Sequence, residues 1–156
     1  MFENMNEPTF EYLGELRAEL APPLQVGAGP RGMRVIYDVT DGHLIGPKVN
    51  ARLLTTGGDW FLIRSDGTGE LDVRVMLQMD DGQLAYLQYR GVILFTPEIL
   101  DCWGRGETIS PEETYFRTTP HFETASEKYS WLNKIVVVGV GQLIAGGVCY
   151  QLFQVK

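Results

Sequence analysis

Apolar side chains recur at every second position along much of this chain, the periodicity of a strand with one buried face. Between residues 10 and 20, Phe10, Tyr12, Leu16, Ala18 and Leu20 read as one face, and Glu11, Glu15, Arg17 and Glu19 as the other. The alternation continues in Met33, Val35, Tyr37 and Val39, then through residues 60–64, 70–79 and 83–93, all rich in β-branched and aromatic types. Residues 135–150 are apolar almost throughout, with Gln142 the one strongly polar side chain. That run is shorter than the ~20 residues a membrane-spanning helix needs. Ala145-Gly146-Gly147 breaks it where a hairpin would turn, so it reads as two buried strands.

Glycine punctuates the pattern. Asp41-Gly42, Gly57-Gly58, Asp66-Gly67, Asp81-Gly82 and Gly146-Gly147 suit the positive φ angles of tight turns. Helix is scarce: Thr96 as N-cap, Pro97 at the first helical position and Gly104 as a stop predict one short helix over residues 97–103, with a second turn over 125–129. Short strands without crossover helices predict an all-β fold, an antiparallel up-and-down β-barrel of about eight strands with one short helix. A barrel leaves no long exposed edges.

The 156 residues, 44% hydrophobic and 21% charged, fit a single globular domain over 1–156. With 13 Lys+Arg against 20 Asp+Glu, the net charge of −7 has the wrong sign for nucleic acid or an anionic membrane surface. Cys102 and Cys149 lie far apart and form no CxxC, which argues against a disulfide framework or a zinc ribbon and for a reducing, cytoplasmic setting. Residues 1–8 lack the basic start and apolar run of a signal peptide. His43 and His121 have no partner at metal-ligand spacing, so no metal is expected. Gly139-Val140-Gly141 resembles the opening of a dinucleotide fingerprint, but the third glycine should fall where Ile144 stands. No P-loop, HExxH or GxSxG occurs, and no cofactor is expected.

Candidate chemistry comes from three strands. Read as two-residue loops, the Asp66-Gly67 and Asp81-Gly82 turns place Arg64 opposite Gly69, Asp59 opposite Arg74, and Arg74 opposite Tyr89. One face then carries Asp59, Phe61, Asp72, Arg74, Leu87 and Tyr89; the other carries Trp60, Leu62, Leu71, Val73, Val75, Leu77, Tyr86 and Arg90. Two orientations are open. With the apolar face inside, the charged set is a solvated ladder whose pairs contribute ~0–1 kcal/mol. With the charged face inside, desolvation and mutual interaction separate the pKa values of Asp59 and Asp72 and make one a usable acid or base. The second orientation leaves Leu62, Val73, Val75 and Leu77 outside and predicts a homodimer or higher homo-oligomer.

A further segment, residues 115–124 followed by Tyr129, Trp131 and Asn133, mixes aromatic bodies with polar tips, an arginine, a glutamate and an amide. That mixture suits a small planar ligand. It equally suits a filled barrel in which Phe116, Phe122 and Trp131 pack and Glu123 and Asn133 bond loop backbone.

These segments together resemble the family known as domain of unknown function 3237. The resemblance rests on Glu19-Leu20-Ala21-Pro22-Pro23, Pro30-Arg31-Gly32, Gly58-Asp59-Trp60, Leu71-Asp72-Val73-Arg74 with Asp81-Gly82, Tyr115-Phe116-Arg117-Thr118, and Trp131-Leu132-Asn133 with Val138-Gly139. It covers nearly the whole chain and implies an antiparallel β-barrel, in a family most of whose members have no assigned activity. The positions Asp59, Trp60, Asp72, Arg74, Tyr115, Arg117, Phe122, Glu123, Trp131 and Asn133 match its motif, which favours a ligand pocket over a surface ladder. His43 is unusual for the motif around it.

The function expected is a cofactor-independent enzyme, an isomerase, dehydratase or cyclase, moving protons on a hydrophobic carbonyl-bearing or phenolic small molecule held in the barrel. Asp59 or Asp72 is the expected base, and Arg74 or Arg117 the group that stabilises an enolate or phenolate oxygen. Tyr89 and Trp131 would pack the ring, with Trp60, Tyr115, Glu123 and Asn133 also around the ligand. The alternative class is a non-catalytic carrier or sensor barrel, which needs apolar burial but no poised carboxylate.

Overall fold

The computed structural model describes residues 5–156; residues 1–4, part of the segment read above for a signal peptide, lie outside the described residues. The strands are β1 (Phe10–Leu20), β2 (Leu24–Gly29), β3 (Gly32–Ile45), β4 (Asn50–Ile63), β5 (Gly69–Met79), β6 (Leu84–Leu94), β7 (Tyr115–Thr124), β8 (Val137–Ile144) and β9 (Gly147–Val155). Every pairing is antiparallel, in the order β1-β9-β8-β7-β6-β5-β4-β3, and β1 pairs with β3 to close an eight-stranded barrel. Closure satisfies the backbone groups that an open edge would expose. β2 prolongs β1 along the same edge of β3: β1 pairs as far as Leu20↔Val39, and β2 resumes at Leu24↔Ile36. Pro22 and Pro23, which have no N–H to give a ladder, stand at the break.

One helix, α1 (Pro97–Gly104), follows β6, and the Thr96 hydroxyl accepts the Ile99 N–H at 3.3 Å as the sequence predicts. The second turn falls later than expected, as a 3-10 turn over Ser130–Lys134, and another occupies Pro111–Glu113. Among the described residues no helix is long and apolar enough to cross a membrane.

The lumen is packed by alternate residues of every strand of the barrel, among them Leu16, Leu44, Leu77, Leu87 and Leu152, each at most 1% exposed. Burying such a side chain contributes ~1.5–3 kcal/mol. In β1 the alternation changes phase, because pairing with β9 slips between Tyr12 and Gly14. Leu13, Leu16 and Ala18 therefore point inward, while Phe10 and Tyr12, expected on the same face as Leu16, are exposed.

Two of the predicted turns do not turn. Asp41-Gly42 and Gly57-Gly58 lie inside β3 and β4, where pairing shifts register and neighbouring backbone passes close. A Cβ on Gly42 would meet the Arg17 carbonyl oxygen at 2.1 Å, and one on Gly57 the Arg74 carbonyl oxygen at 2.0 Å. Gly139-Val140-Gly141 has a packing explanation too: a Cβ on Gly141 would stand 2.6 Å from the Phe116 ring, and one on Gly139 2.3 Å from Thr118 Oγ1. These glycines let inward-facing side chains of β7 lie flat against β8.

The turns flanking β5 are three-residue loops. In Ser65-Asp66-Gly67 the Gly67 N–H donates to the Arg64 carbonyl at 3.0 Å and the Arg64 N–H to the Thr68 carbonyl at 2.9 Å. Asp80-Asp81-Gly82 repeats the arrangement, with Gly82 N–H to Met79 O at 3.0 Å and Met79 N–H to Gln83 O at 2.9 Å. Gly67 and Gly82 close them at φ +84° and +85°, a type I turn followed by a left-handed residue. Each loop moves the register by one residue from that of a two-residue turn. Asp59 faces Val73, not Arg74, and Tyr89 also faces Val73.

Gly141→Ala is expected to cost ~1–3 kcal/mol in denaturant melts by overpacking against Phe116. Gly104→Ala, where an added Cβ meets nothing within 4 Å, should stay within about 0.5 kcal/mol of the parent.

Candidate functional site

A one-residue shift turns every side chain of a strand to the opposite face. In β5 the shift sends Leu71, Val73, Val75 and Leu77 into the lumen, all at most 5% exposed, and turns Asp72 and Arg74 outward. The two shifts cancel across β5, so Asp59 and Phe61 of β4 and Leu87 and Tyr89 of β6 share the inner face, as threaded from the sequence. Neither orientation deduced above is right as a whole: β4 and β6 follow the charged-inward reading and β5 the apolar-inward one. The patch from which self-association was expected loses Val73, Val75 and Leu77 to the core.

The lumen holds a narrow cavity of about 40 Å³. Its wall is apolar, part aliphatic and part aromatic, with rings from Tyr37, Phe61, Tyr89, Trp103, Phe116 and Tyr150 among them. Tyr150 meets Tyr89 edge-on at 5.2 Å between ring centroids and Phe116 at the same distance. Over the mouth, the Trp103 indole N–H of α1 donates to the carbonyls of Ile144 (2.8 Å) and Gly147 (3.0 Å), pinning the helix to the β8–β9 hairpin. Leu20, Tyr37, Leu100 and Trp103 also line an outer groove that runs between α1 and Pro22-Pro23, so the cavity opens there.

Among the described residues Asp59 is the one charged side chain on this wall. Cross-strand pairing sets it in a row Tyr37, Asp59, Val73, Tyr89 running over β3 to β6. Its Oδ1 accepts the Asp72 N–H at 3.0 Å. Burial among apolar groups pushes its carboxyl up from 3.8 to about 7, with the nearby Asp72 carboxylate adding to the rise and the Asp72 N–H and Arg34 opposing it. Burial likewise pushes the Tyr37 hydroxyl up to about 12 and the Tyr89 and Tyr150 hydroxyls higher, so all three keep their protons. A carboxyl able to give or take a proton near neutral pH therefore shares an apolar chamber with three protonated phenols.

Of the predicted site residues, the lumen brings together Asp59 and Tyr89. Asp72 lies on the outer face, with its Oδ2 4.0 Å from Arg90 Nη2. Arg74 is exposed on the same side. Trp60, 43% exposed, alternates outward from Asp59. Tyr115 and Arg117 are stacked on the outer surface, the guanidinium carbon 4.7 Å from the ring centroid. Glu123 is exposed beside Tyr86. Trp131 packs against the outside of the core, and Asn133 pins the end of β7 through bonds to the Thr124 N–H (2.8 Å) and carbonyl (2.9 Å). Phe116 and Phe122 are buried, so this segment fills the barrel and braces a loop. His43 has an outer-face partner in Glu15, at 2.9 Å. The sequence reading missed Tyr37, Trp103 and Tyr150 as wall residues. Tyr37 was visible on the inner face of its strand, but its pairing with Asp59 depends on a register shift inside β3.

Fold and site together define a closed antiparallel β-barrel enclosing a small aromatic chamber with one titratable carboxyl. The chain belongs to the family described as Protein of unknown function (DUF3237), whose pattern matches residues 8–155. A solved β-barrel-like protein from Acinetobacter baumannii superposes with a TM-score of 0.84 at 35% identity, covering 99% of both chains. A UPF0311 protein of Rhodopseudomonas palustris is 31% identical over 95% of this chain and 98% of its own. Two fungal proteins are more distant. An enzyme from Penicillium herquei shares the fold, with a TM-score of 0.74 at 18% identity over all of both chains. PR-toxin biosynthesis cluster protein 7 of Penicillium roqueforti is 24% identical over 88% of this chain and 84% of its own.

The shift at Asp59 makes stability depend on pH. The folded protein holds a proton up to about pH 7 that the unfolded chain releases near 3.8. Stability should therefore fall as pH rises between those values and level off above. Asp59→Asn removes the dependence: the variant should match the parent at pH 4 and exceed it at pH 8 by a few kcal/mol, at most about 4. Denaturant melts at the two pH values check this. Arg74→Met, on the solvated face, should shift the same melts by no more than about 0.5 kcal/mol.

Proposed function

We propose that this protein is an enzyme in which Asp59 takes a proton from, and returns it to, a neutral, largely apolar ligand carrying a carbonyl or phenolic oxygen. The reading is carried by one observation, a single carboxyl held at about 7 on the wall of an aromatic cavity. A general base works best when its pKa lies near the working pH. As carboxylate, Asp59 removes a proton from carbon or oxygen, and the electron pair it leaves behind moves onto the ligand's oxygen. Tyr37, Tyr89 and Tyr150 supply the hydrogen-bond donors for that oxygen, in place of Arg74 and Arg117, which lie outside the barrel. Return of the proton to another carbon is isomerisation; its delivery to a leaving hydroxyl is dehydration. Neutrality of the ligand follows from the wall, where no described Lys, Arg or His would balance an anion beside Asp59. A fold neighbour described as an enzyme and a relative in a toxin-biosynthesis cluster support catalysis in such a barrel.

The apolar lining also favours a second reading, a carrier that binds the same molecules without reacting. Deuterium incorporation from D2O into 2-tetralone, a neutral aromatic ketone, separates the two. The enzyme is expected to accelerate exchange beside the carbonyl, with a rate that climbs as pH rises through about 7, and Asp59→Asn should bind the ketone but lose the acceleration by two decades or more, in the ~10²–10⁴ range of general-base catalysis. Binding by the parent with no acceleration would identify a carrier.

A further inference from the structure

The barrel wall is interrupted beside Asp59. β4 and β5 pair at Asp59↔Val73 and again at Leu62↔Glu70, but pairing lapses between, where the register carries Trp60 opposite Asp72. The groups freed by the lapse are met by side chains. The Asp72 N–H donates to Asp59 Oδ1 at 3.0 Å, from the lumen side, and the Trp60 carbonyl accepts Arg34 Nη1 at 2.8 Å, from the outer side. A full ladder needs neither residue, so the gap is built into the seam by two polar side chains. Asp72 stands on the outer side of the same gap. Its Oδ1 is buried and meets no hydrogen-bond donor among the described residues, whereas its Oδ2 lies 4.0 Å from Arg90 on β6. A buried carboxylate oxygen left unpaired is costly and calls for an explanation, such as a catalytic role or a bound water or ion.

From this we infer that the β4–β5 seam is a proton passage, and that Asp72 acts through Asp59 by carrying its proton between the ligand-filled lumen and solvent. The inference rests on the reading of Asp59 as the base and adds what happens to the proton afterwards. When Asp59 has taken a proton from the ligand, its O–H bond breaks toward the seam and the electron pair stays on Asp59. The proton bonds to the Asp72 carboxylate and exchanges there with water outside; a proton returns by the same route to Asp59 and from it to the ligand, which leaves neutral. This exchange needs no opening of the mouth while the ligand fills it. The charged and titratable groups around the passage are Arg34 and Tyr37 on β3, Glu70 and Arg74 on β5, and Tyr89 and Arg90 on β6.

The side-chain carboxyl of Asp59 can be followed by carbon-13 NMR through its titration, in the full-length protein alone and with 2-tetralone added. In the parent and in Asp72→Glu, protonated and ionised forms should average into one moving signal. In Asp72→Asn, which keeps the N–H that bonds Asp59 and so spares the structure, exchange is expected to slow by about tenfold or more, one decade of rate, broadening or splitting the signal. Equal line shapes in parent and Asp72→Asn, with and without 2-tetralone, overturn the inference. The reading of Asp59 as base fails by a different result, unchanged deuterium incorporation in Asp59→Asn, which leaves the line-shape comparison to be judged by itself.

Discussion

The face that β5 turns to the lumen governs everything else in this barrel. It is set by two loops of the same construction, Ser65-Asp66-Gly67 and Asp80-Asp81-Gly82, each closed by a glycine at positive φ. Because side chains alternate with period two, one extra residue in each loop decides whether Asp72 and Arg74 or Val73 and Val75 line the cavity. The loops admit the valines. Asp59 thereby loses the arginine that would have neutralised it and gains an apolar neighbour in Val73.

In the proposed function, that loss of a counter-charge is what makes Asp59 a usable base. A carboxyl beside an arginine ionises readily and becomes a weak base; one surrounded by Phe61, Val73 and tyrosine rings holds its proton toward neutrality. The phenols that take the place of the arginines donate hydrogen bonds without bringing charge, which suits an oxygen that is neutral in the ligand and anionic only during reaction. Buried rings at fixed edge-to-face angles, and a helix tied down through the Trp103 indole, hold these groups with little freedom to reorganise. In the inferred proton passage, Asp72 on the outer face and the break in the ladder at Trp60 connect the buried carboxyl with solvent.

Much of the fold was legible in the sequence because its signals are local. Period-two runs, the Thr96-Pro97 helix start and the Ala145-Gly146 break each depend on a few adjacent residues, and each appears where expected. Long-range parity is another matter. Asp-Gly suits both two- and three-residue hairpins, and the choice between them reverses a whole strand. Asp59 and Tyr89 were still placed together, because two equal errors cancelled across β5. Bulges hid more: Gly14 reverses the phase of β1, and the shift within β3 that brings Tyr37 beside Asp59 falls at Asp41-Gly42, a pair that reads as a turn. The segment from Tyr115 to Asn133 misled for a different reason. Amphipathic aromatics with polar tips look the same whether the tips meet a ligand or, as Asn133 does, the backbone of a loop.

An isolated carboxyl in an aromatic lumen should titrate near neutrality, which the midpoint of the Asp59 carboxyl signal in the ligand-free parent protein reports. Carbon-13 NMR across pH 3 to 9, with Asp59→Asn to assign the signal, gives it. The midpoint is expected near 7. A midpoint at the ordinary aspartate value of about 4 would mean that Asp59 is solvated or paired and is no base poised at neutral pH.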